Sequence, residues 1–406
     1  MSFRMMLSML RRHPMMPLLV LLQVAVACAL LANVLFMSWQ KLRPMLAPSG
    51  MDTANLIVAS QITCAHCLWS AAEVRAGAQA LREVPGVRAA SAAYGLPTAD
   101  FYTFSALQGP TGVKLGVSVY SGYDLVKTLG LDLVAGRNFL PDEYRDFGPG
   151  QDKGVVTPLI ITDALARRLF GHANAVGGLL RDPGDKAGGR YRVVGIVRHL
   201  VGVELTRAHA DSNILMPRRI GKTPLIDYAI RVDPNMHAVA LRGVRRVLQR
   251  EFGASMPTGS KPHAAFYDTL RSNYFRTRRG ALWTLGGVAI VVLVVSVIGI
   301  MGLTGFWIQK RTHTIGILRA LGARRVDILV YFQGENALIV VLAVLLGMLF
   351  AYAGNLALMH YYALTRLPLW YLPVGAAVML VLGQLAVLGP ALRASRIAPA
   401  VATRRV

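Results

Sequence analysis

The sequence predicts a membrane α-helical protein: four transmembrane helices, with a large α+β domain inserted between helices 1 and 2. Three observations carry this. The 406 residues are 54% hydrophobic and only 16% charged, whereas about a quarter of the residues in a usual soluble protein are charged. Four runs, 17–38, 280–308, 328–353 and 372–392, are almost free of charge and are each long enough to cross a bilayer. Finally, the segments 1–16, 309–327 and 393–406 hold twelve Lys and Arg, while the short loop 354–371 holds only Arg366. Basic loops beside membrane spans stay on the cytoplasmic side. Four spans then place both termini and the 309–327 loop in the cytoplasm, with 39–279 on the outer side.

In segment 1–16, Phe3, Met6, Leu7 and Leu10 recur at helical spacing beside Arg4, Arg11 and Arg12, the pattern of an interfacial amphipathic helix. The first apolar run could be read as a secretory signal, and Ala25-Val26-Ala27-Cys28 resembles a lipoprotein cleavage site. Leu would be expected at position 25, however, and the run continues from Ala29 to Met37, so a retained anchor is expected.

Segment 39–279 has the composition of a soluble domain and is long enough for a substantial core. Strands are expected at 56–60, 117–121 (as an edge), 155–161, 191–197 and 228–232, where β-branched residues concentrate. Helices are expected at 68–84, 122–129, 163–170 and 236–252, with glycines at several of their ends. Strands and helices without strict alternation indicate an α+β domain.

The run 280–308 is roughly 43 Å long as a helix, longer than the hydrocarbon core, so it should tilt or project as a stalk. Its neighbour 309–327 has Ile315, Leu318 and Leu321 at helical spacing and Gly322 where a helix would end, which predicts a short amphipathic cytoplasmic helix. Tyr361, Tyr362, Trp370 and Tyr371 mark an interfacial belt between the last two spans.

Net charge is +23. No continuous basic block with interleaved aromatics exists, which argues against nucleic-acid binding and leaves a lipid surface as the anionic partner. Gly221-Lys222-Thr223 is only the tail of a phosphate-binding loop, since Met216 and Pro217 occupy positions the loop needs. No ATP site, other cofactor site or catalytic set is therefore expected in this chain. Cys64-Ala65-His66-Cys67, on the oxidising side, reads as a structural disulfide, a metal or redox pair, or two free thiols. Cys28 lies in a span as an inert apolar residue. Glu335, two turns into the third span, reads as an interhelical contact pairing with Arg324 or Arg325 in preference to a proton path. Gly299, Gly302 and Gly305 form a smooth ridge for close helix packing.

The segment Arg311-Thr-His-Thr-Ile-Gly-Ile-Leu-Arg-Ala-Leu-Gly-Ala323 resembles the signature after the second span of MacB/FtsX-type ABC transporter permeases. The ending Pro390-Ala-Leu-Arg-Ala-Ser-Arg-Ile-Ala-Pro399 is similar to that family's. So are Ala135-Gly-Arg-Asn-Phe139, 161–171 and 191–197 to its periplasmic core domain. The resemblance implies a bacterial inner-membrane permease, non-catalytic itself, that transmits movement from a cytosolic ABC ATPase subunit to the periplasm. ATP and magnesium would sit on that ATPase, and a second permease and a periplasmic adaptor are further partners. The cargo implied is a peptide, an antibiotic-like molecule or a lipoprotein; the alternative is an FtsX-like regulator that activates a periplasmic enzyme without transport. Carried over residue by residue, the ATPase-coupling positions are Arg311, Thr314, Ile315, Gly316, Leu318, Arg319, Ala320 and Gly322. Thr314 stands where relatives usually have Glu, which suggests a heteromeric pair whose other permease keeps the carboxylate; a homodimer is the other arrangement.

Overall fold

The computed structural model describes residues 15–97, 103–148, 155–172, 174–184, 189–202, 210–362 and 368–395. The amphipathic helix expected at 1–16 and the tail at 393–406 therefore lie almost wholly outside the described residues, as does Arg366. The chain divides into two compact units, one of Met1–Met45 with Arg278–Val406 and one of Leu46–Thr277.

In chain order the helices are α1 (Met15–Leu46), α2 (Ala71–Arg82), α3 (Leu125–Leu129), α4 (Asp163–Phe170), α5 (His237–Phe252), α6 (Tyr267–Tyr274), α7 (Arg276–Lys310), α8 (Thr312–Ala320), α9 (Arg325–Tyr362) and α10 (Leu372–Ser395). The strands are β1 (Leu56–Thr63), β2 (Val87–Tyr94), β3 (Thr103–Gln108), β4 (Lys114–Gly122), β5 (Leu133–Gly136), β6 (Arg145–Asp146), β7 (Val156–Thr162), β8 (Leu179–Arg181), β9 (Arg190–Val197), β10 (Asn213–Arg219), β11 (Leu225–Val232) and β12 (His263–Phe266).

Helices α1, α7, α9 and α10 are each long and apolar enough to cross a membrane. All four outrun the apolar segments that announce them: α1 continues to Leu46, α9 to Tyr362 and α10 to Ser395. Helical hydrogen bonding does not stop where hydrocarbon ends, so hydropathy marks the membrane-embedded part and not the helix end.

In the α+β unit, β12-β1-β11-β2 run antiparallel in that spatial order. With α2 joining β1 to β2 and α5 joining β11 to β12, this is a split βαβ arrangement of the ferredoxin-like kind. Helices α2 and α5 supply Val74, Leu81, Val244, Leu248 and Phe252 to one core with Ile57, Ile62, Tyr228 and Ile230. Gly77 permits this approach: a Cβ there would lie 2.4 Å from the Phe252 ring. Ser70 caps α2 reciprocally with Glu73, and the Ser70 hydroxyl holds the Glu73 carboxyl below its ordinary range.

Residues between β2 and β11 form a second lobe. Strands β4-β3-β8-β9-β7-β10 return to β4 through a parallel β10–β4 pairing, so the six close into a ring. Its interior holds Leu107, Val117, Leu159, Ile161, Val193, Ile196 and Ile214, covered by Leu165 and Leu169 of α4. That helix starts where the Thr162 hydroxyl accepts from the Leu165 amide and stops at Gly171 with φ +80°.

Three expectations are corrected. The helix expected at 122–129 begins at Leu125, because β4 runs on to Gly122. Residues 117–121 belong to no edge: β4 pairs with β2, β3 and β10 and joins the two lobes. The helix expected at 68–84 begins at Ala71, because Trp69 is held in a bridge to Thr223 and donates its indole N–H to the Ile62 carbonyl at 3.1 Å.

The unit is closed near its ends. Ser49 accepts from the Val201 amide at 3.1 Å, and Arg271 donates to the Ala47 carbonyl at 2.7 Å. Between them Gly50 has φ +80°, and a Cβ would lie 1.9 Å from the His199 carbonyl oxygen. Gly259 has a similar φ, +84°, but open space around it. Gly259→Ala should therefore cost only the left-handed penalty, about 1 kcal/mol. Gly50→Ala must also displace backbone and should cost about 3 kcal/mol or more. Thermal unfolding of the two variants of the purified chain should rank them in this order.

Candidate functional site

The cytoplasmic-type segment after α7 is built inward from one ion pair. Arg311, at the α7–α8 junction, places Nη1 3.0 Å from Oε2 of Glu335 on α9, with side chains 16% and 4% exposed. The guanidinium carbon stacks 4.1 Å from the Trp307 ring centre, and Nη1 also reaches the Tyr331 hydroxyl at 3.3 Å. Four groups on two helices thus satisfy one another where water is scarce, as a buried charge requires.

The partner expected for Glu335 is thereby corrected. Arg325 lies ten residues away on the same helix, a rise of about 15 Å, which side chains do not bridge. Arg311 comes from the α7–α8 junction and meets the carboxylate from the side.

Helix α8 is helical over Thr312–Ala320. Ile315 is 2% exposed and joins Ile308, Ile328 and Phe332 in the helical core. Gly316 is also buried, whereas Ile317 is 43% and Leu321 79% exposed, and Ala320 and Gly322 are exposed. Ile315 and Leu321 therefore do not share one apolar face: the first packs inward and the second projects outward. Thr314, Leu318 and Arg319 lie on this helix, with side chains outside the described residues. Gly322 turns the chain with φ +96°. The Asp327 carboxylate then accepts from the Arg324 amide at 2.8 Å and opens α9.

Other polar side chains tie the spans together. Gln23 of α1 donates to the Val295 carbonyl of α7 at 3.2 Å, and Asn33 of α1 donates to the Ala351 carbonyl of α9 at 3.2 Å. Asn336 of α9 donates to the Gly383 carbonyl of α10 at 3.1 Å. Sequence reading missed Gln23 and Asn33, although a polar residue inside an apolar run is itself a signal. Of the expected glycine ridge, only Gly299 makes a close approach, against Gln23; Gly302 and Gly305 face open space. A small cleft of about 40 Å³ opens beside Glu335, lined by Pro17, Val20, Thr304, Trp307 and Asn336.

Elsewhere, Cys64 and Cys67 stand with Cα atoms 5.4 Å apart and their sulfurs in contact. Cys28 is buried and unpaired. Gly221, Lys222 and Thr223 form a turn against Trp69, with Lys222 donating its amide to the Trp69 carbonyl at 2.7 Å. Among the described residues no group of His, Cys, Asp and Glu could hold a metal.

This architecture defines a polytopic membrane protein whose α+β domain is inserted after the first span. Two family models match it: the MacB-like periplasmic core domain over residues 24–249 and the FtsX-like permease C-terminal region over 286–399. The chain belongs to the MacB/FtsX-type ABC transporter permease family. It is 25% identical over 296 residues to the macrolide export ATP-binding/permease protein MacB of Shewanella oneidensis, covering 66% of this chain and 42% of that protein. The chain thus spans less than half the length of this relative. The periplasmic region of MacB from Actinobacillus actinomycetemcomitans aligns at 12% identity with TM-score 0.38, over 57% of this chain and 97% of that one. The extracellular domain of the ABC-type transporter YknZ from Gram-positive bacteria aligns at 13% identity with TM-score 0.34, over 52% and 100%.

Removing either partner of a buried ion pair costs about 3–5 kcal/mol, while replacing both by apolar side chains is often near neutral. Arg311→Met and Glu335→Met should each lower the melting temperature of the detergent-solubilised protein clearly. The double variant should recover most of the loss, giving a large coupling in the cycle.

Proposed function

We propose that this chain is the membrane subunit of a MacB-type transporter and relays the ATP-driven movement of a separate ATPase subunit to its periplasmic domain. In this reading it lies in the bacterial inner membrane with both termini cytoplasmic. ATP and magnesium are held by the ATPase. The observation that carries the reading is the asymmetry around α8. Arg311 and Ile315 fasten the helix to α9, so that a push on it moves the spans, while Ile317 and Leu321 project outward. Exposed apolar residues on a short helix suit insertion into a groove of a partner. The inward lock makes Arg311 an anchor of the relay and not a contact with the ATPase.

The process served is export of a peptide, an antibiotic-like molecule or a lipoprotein from the periplasmic side. The match to the MacB-like core domain supports export over enzyme activation. Thr314, in place of the family's usual Glu, supports pairing with a second, different permease, and a periplasmic adaptor completes the assembly.

Two experiments test this. The double variant Ile317→Ala, Leu321→Ala should weaken ATPase association and the stimulated ATP hydrolysis about tenfold or more, with the melting temperature unchanged; unaltered association would remove α8 as the contact. Thr314→Glu should leave assembly intact, and isolation of a stable, active homodimer of the unaltered chain with the ATPase alone would refute the heteromer.

A further inference from the structure

The turn from β1 to α2 holds a feature that force relay leaves unused. Cys64 is 5% exposed, whereas Ala65, His66, Cys67 and Leu68 are all exposed. The turn is fixed without its cysteines. The Cys64 amide donates to the Pro224 carbonyl at 2.8 Å, the Ala65 amide to Ser255 at 3.0 Å and the Trp69 amide to Thr223 at 2.9 Å. The buried Trp69 indole and the Ser70–Glu73 cap hold the far side. A cross-link between positions 64 and 67 closes a very small loop, and the stabilisation a disulfide gives through the unfolded chain grows with loop length. Hydrogen bonds already hold the segment, so the covalent bond adds little to folding. One of its sulfurs is open to solvent, a property of labile and exchangeable disulfides rather than structural ones.

We infer that Cys64 and Cys67 form a two-electron thiol–disulfide exchange site, entered through Cys67 by a dithiol oxidoreductase on the outer side of the membrane. The chemistry follows from the burial difference. A thiolate of the dithiol attacks Sγ of Cys67, the Cys64–Cys67 bond breaks, and Cys64 leaves as a thiolate that takes a proton. The second thiol of the partner then attacks its own sulfur in the mixed disulfide, and Cys67 leaves as a thiolate that is protonated in turn. The partner ends as a disulfide, and this chain gains two electrons and two protons. Exposed Leu68 and His66 flank the entry sulfur as the contact surface. The site depends on the domain facing the outer side but not on force relay, so it can be tested in the purified chain.

The experiment uses the full chain in detergent with Cys28→Ser, which removes the third thiol. It is equilibrated with reduced and oxidised dithiothreitol, then labelled with a mass-tagged maleimide. Both cysteines should become labelled in millimolar reduced dithiothreitol with no change in the melting transition. In the single variants, Cys67 (with Cys64→Ser) should label about tenfold faster than Cys64 (with Cys67→Ser), as accessibility requires. Reduced thioredoxin whose second active-site cysteine is changed to serine, used as a probe oxidoreductase, should be trapped in a mixed disulfide with the oxidised chain and not with the Cys64→Ser, Cys67→Ser variant. A disulfide that resists the dithiol until the domain melts would overturn the inference. So would a Cys64→Ser, Cys67→Ser variant that melts many degrees lower, or equal labelling of both cysteines. Loss of ATPase coupling in the α8 variants would leave all these results untouched.

Discussion

Hydrocarbon offers no partner to a polar group, and the helical unit is arranged around that constraint. Backbone groups are satisfied by the helices themselves, so the remaining problem is the polar side chains within them. Gln23, Asn33 and Asn336 each find a carbonyl on a neighbouring span, and Glu335 finds Arg311, which also reaches the Tyr331 hydroxyl. Each bond selects which helices are neighbours: α1 with α7, α1 with α9, α9 with α10, and α7 with α9. Apolar packing alone discriminates weakly between such arrangements in lipid, because lipid tails are as apolar as Leu. Polar satisfaction adds direction. It also gives α8 its setting, since the ion pair that links α7 to α9 lies at the root of that short helix.

The α+β unit follows a different logic, that of a water-soluble core. Its first lobe is a split βαβ sheet interrupted by a second lobe, and β4 belongs to both. The interruption explains why an α+β composition was readable while the topology was not. β1 pairs with β11, whose residues lie more than 160 positions later, and no local pattern announces such a partner. Strands β2, β3, β5, β6, β8, β10 and β12 escaped the sequence reading for related reasons. β2 is rich in Ala, β8 has three residues, and Pro217 sits within β10. Each is a strand because its neighbours provide a ladder, not because its own residues favour one.

The candidate relay joins these observations. An amphipathic helix between two spans was legible from the spacing of apolar residues and the glycine behind it. Which apolar residues face inward was not: Ile315 is buried and Leu321 projects, although the heptad-like spacing treats them alike. The difference follows from helical geometry: at 3.6 residues per turn, positions six apart lie about 120° apart, and the Leu321 amide still bonds the Ile317 carbonyl. Arg311 was singled out for a contact with a partner, yet its charge is spent inside the chain on Glu335.

The sequence by itself determined the number of apolar spans, the insertion of a domain after the first, the asymmetry of basic charge and the short helix between the second and third spans. All of these are local properties of composition and period, and solvent or lipid enforces them one segment at a time. Only the tertiary structure decided that Glu335 pairs with Arg311 instead of Arg324 or Arg325, that Cys67 is open while Cys64 is shielded, and that β4 lies at the junction of two lobes. Those outcomes depend on which distant surfaces meet, and a side chain's partner is fixed by the approach of another element and not by its own neighbours in the chain.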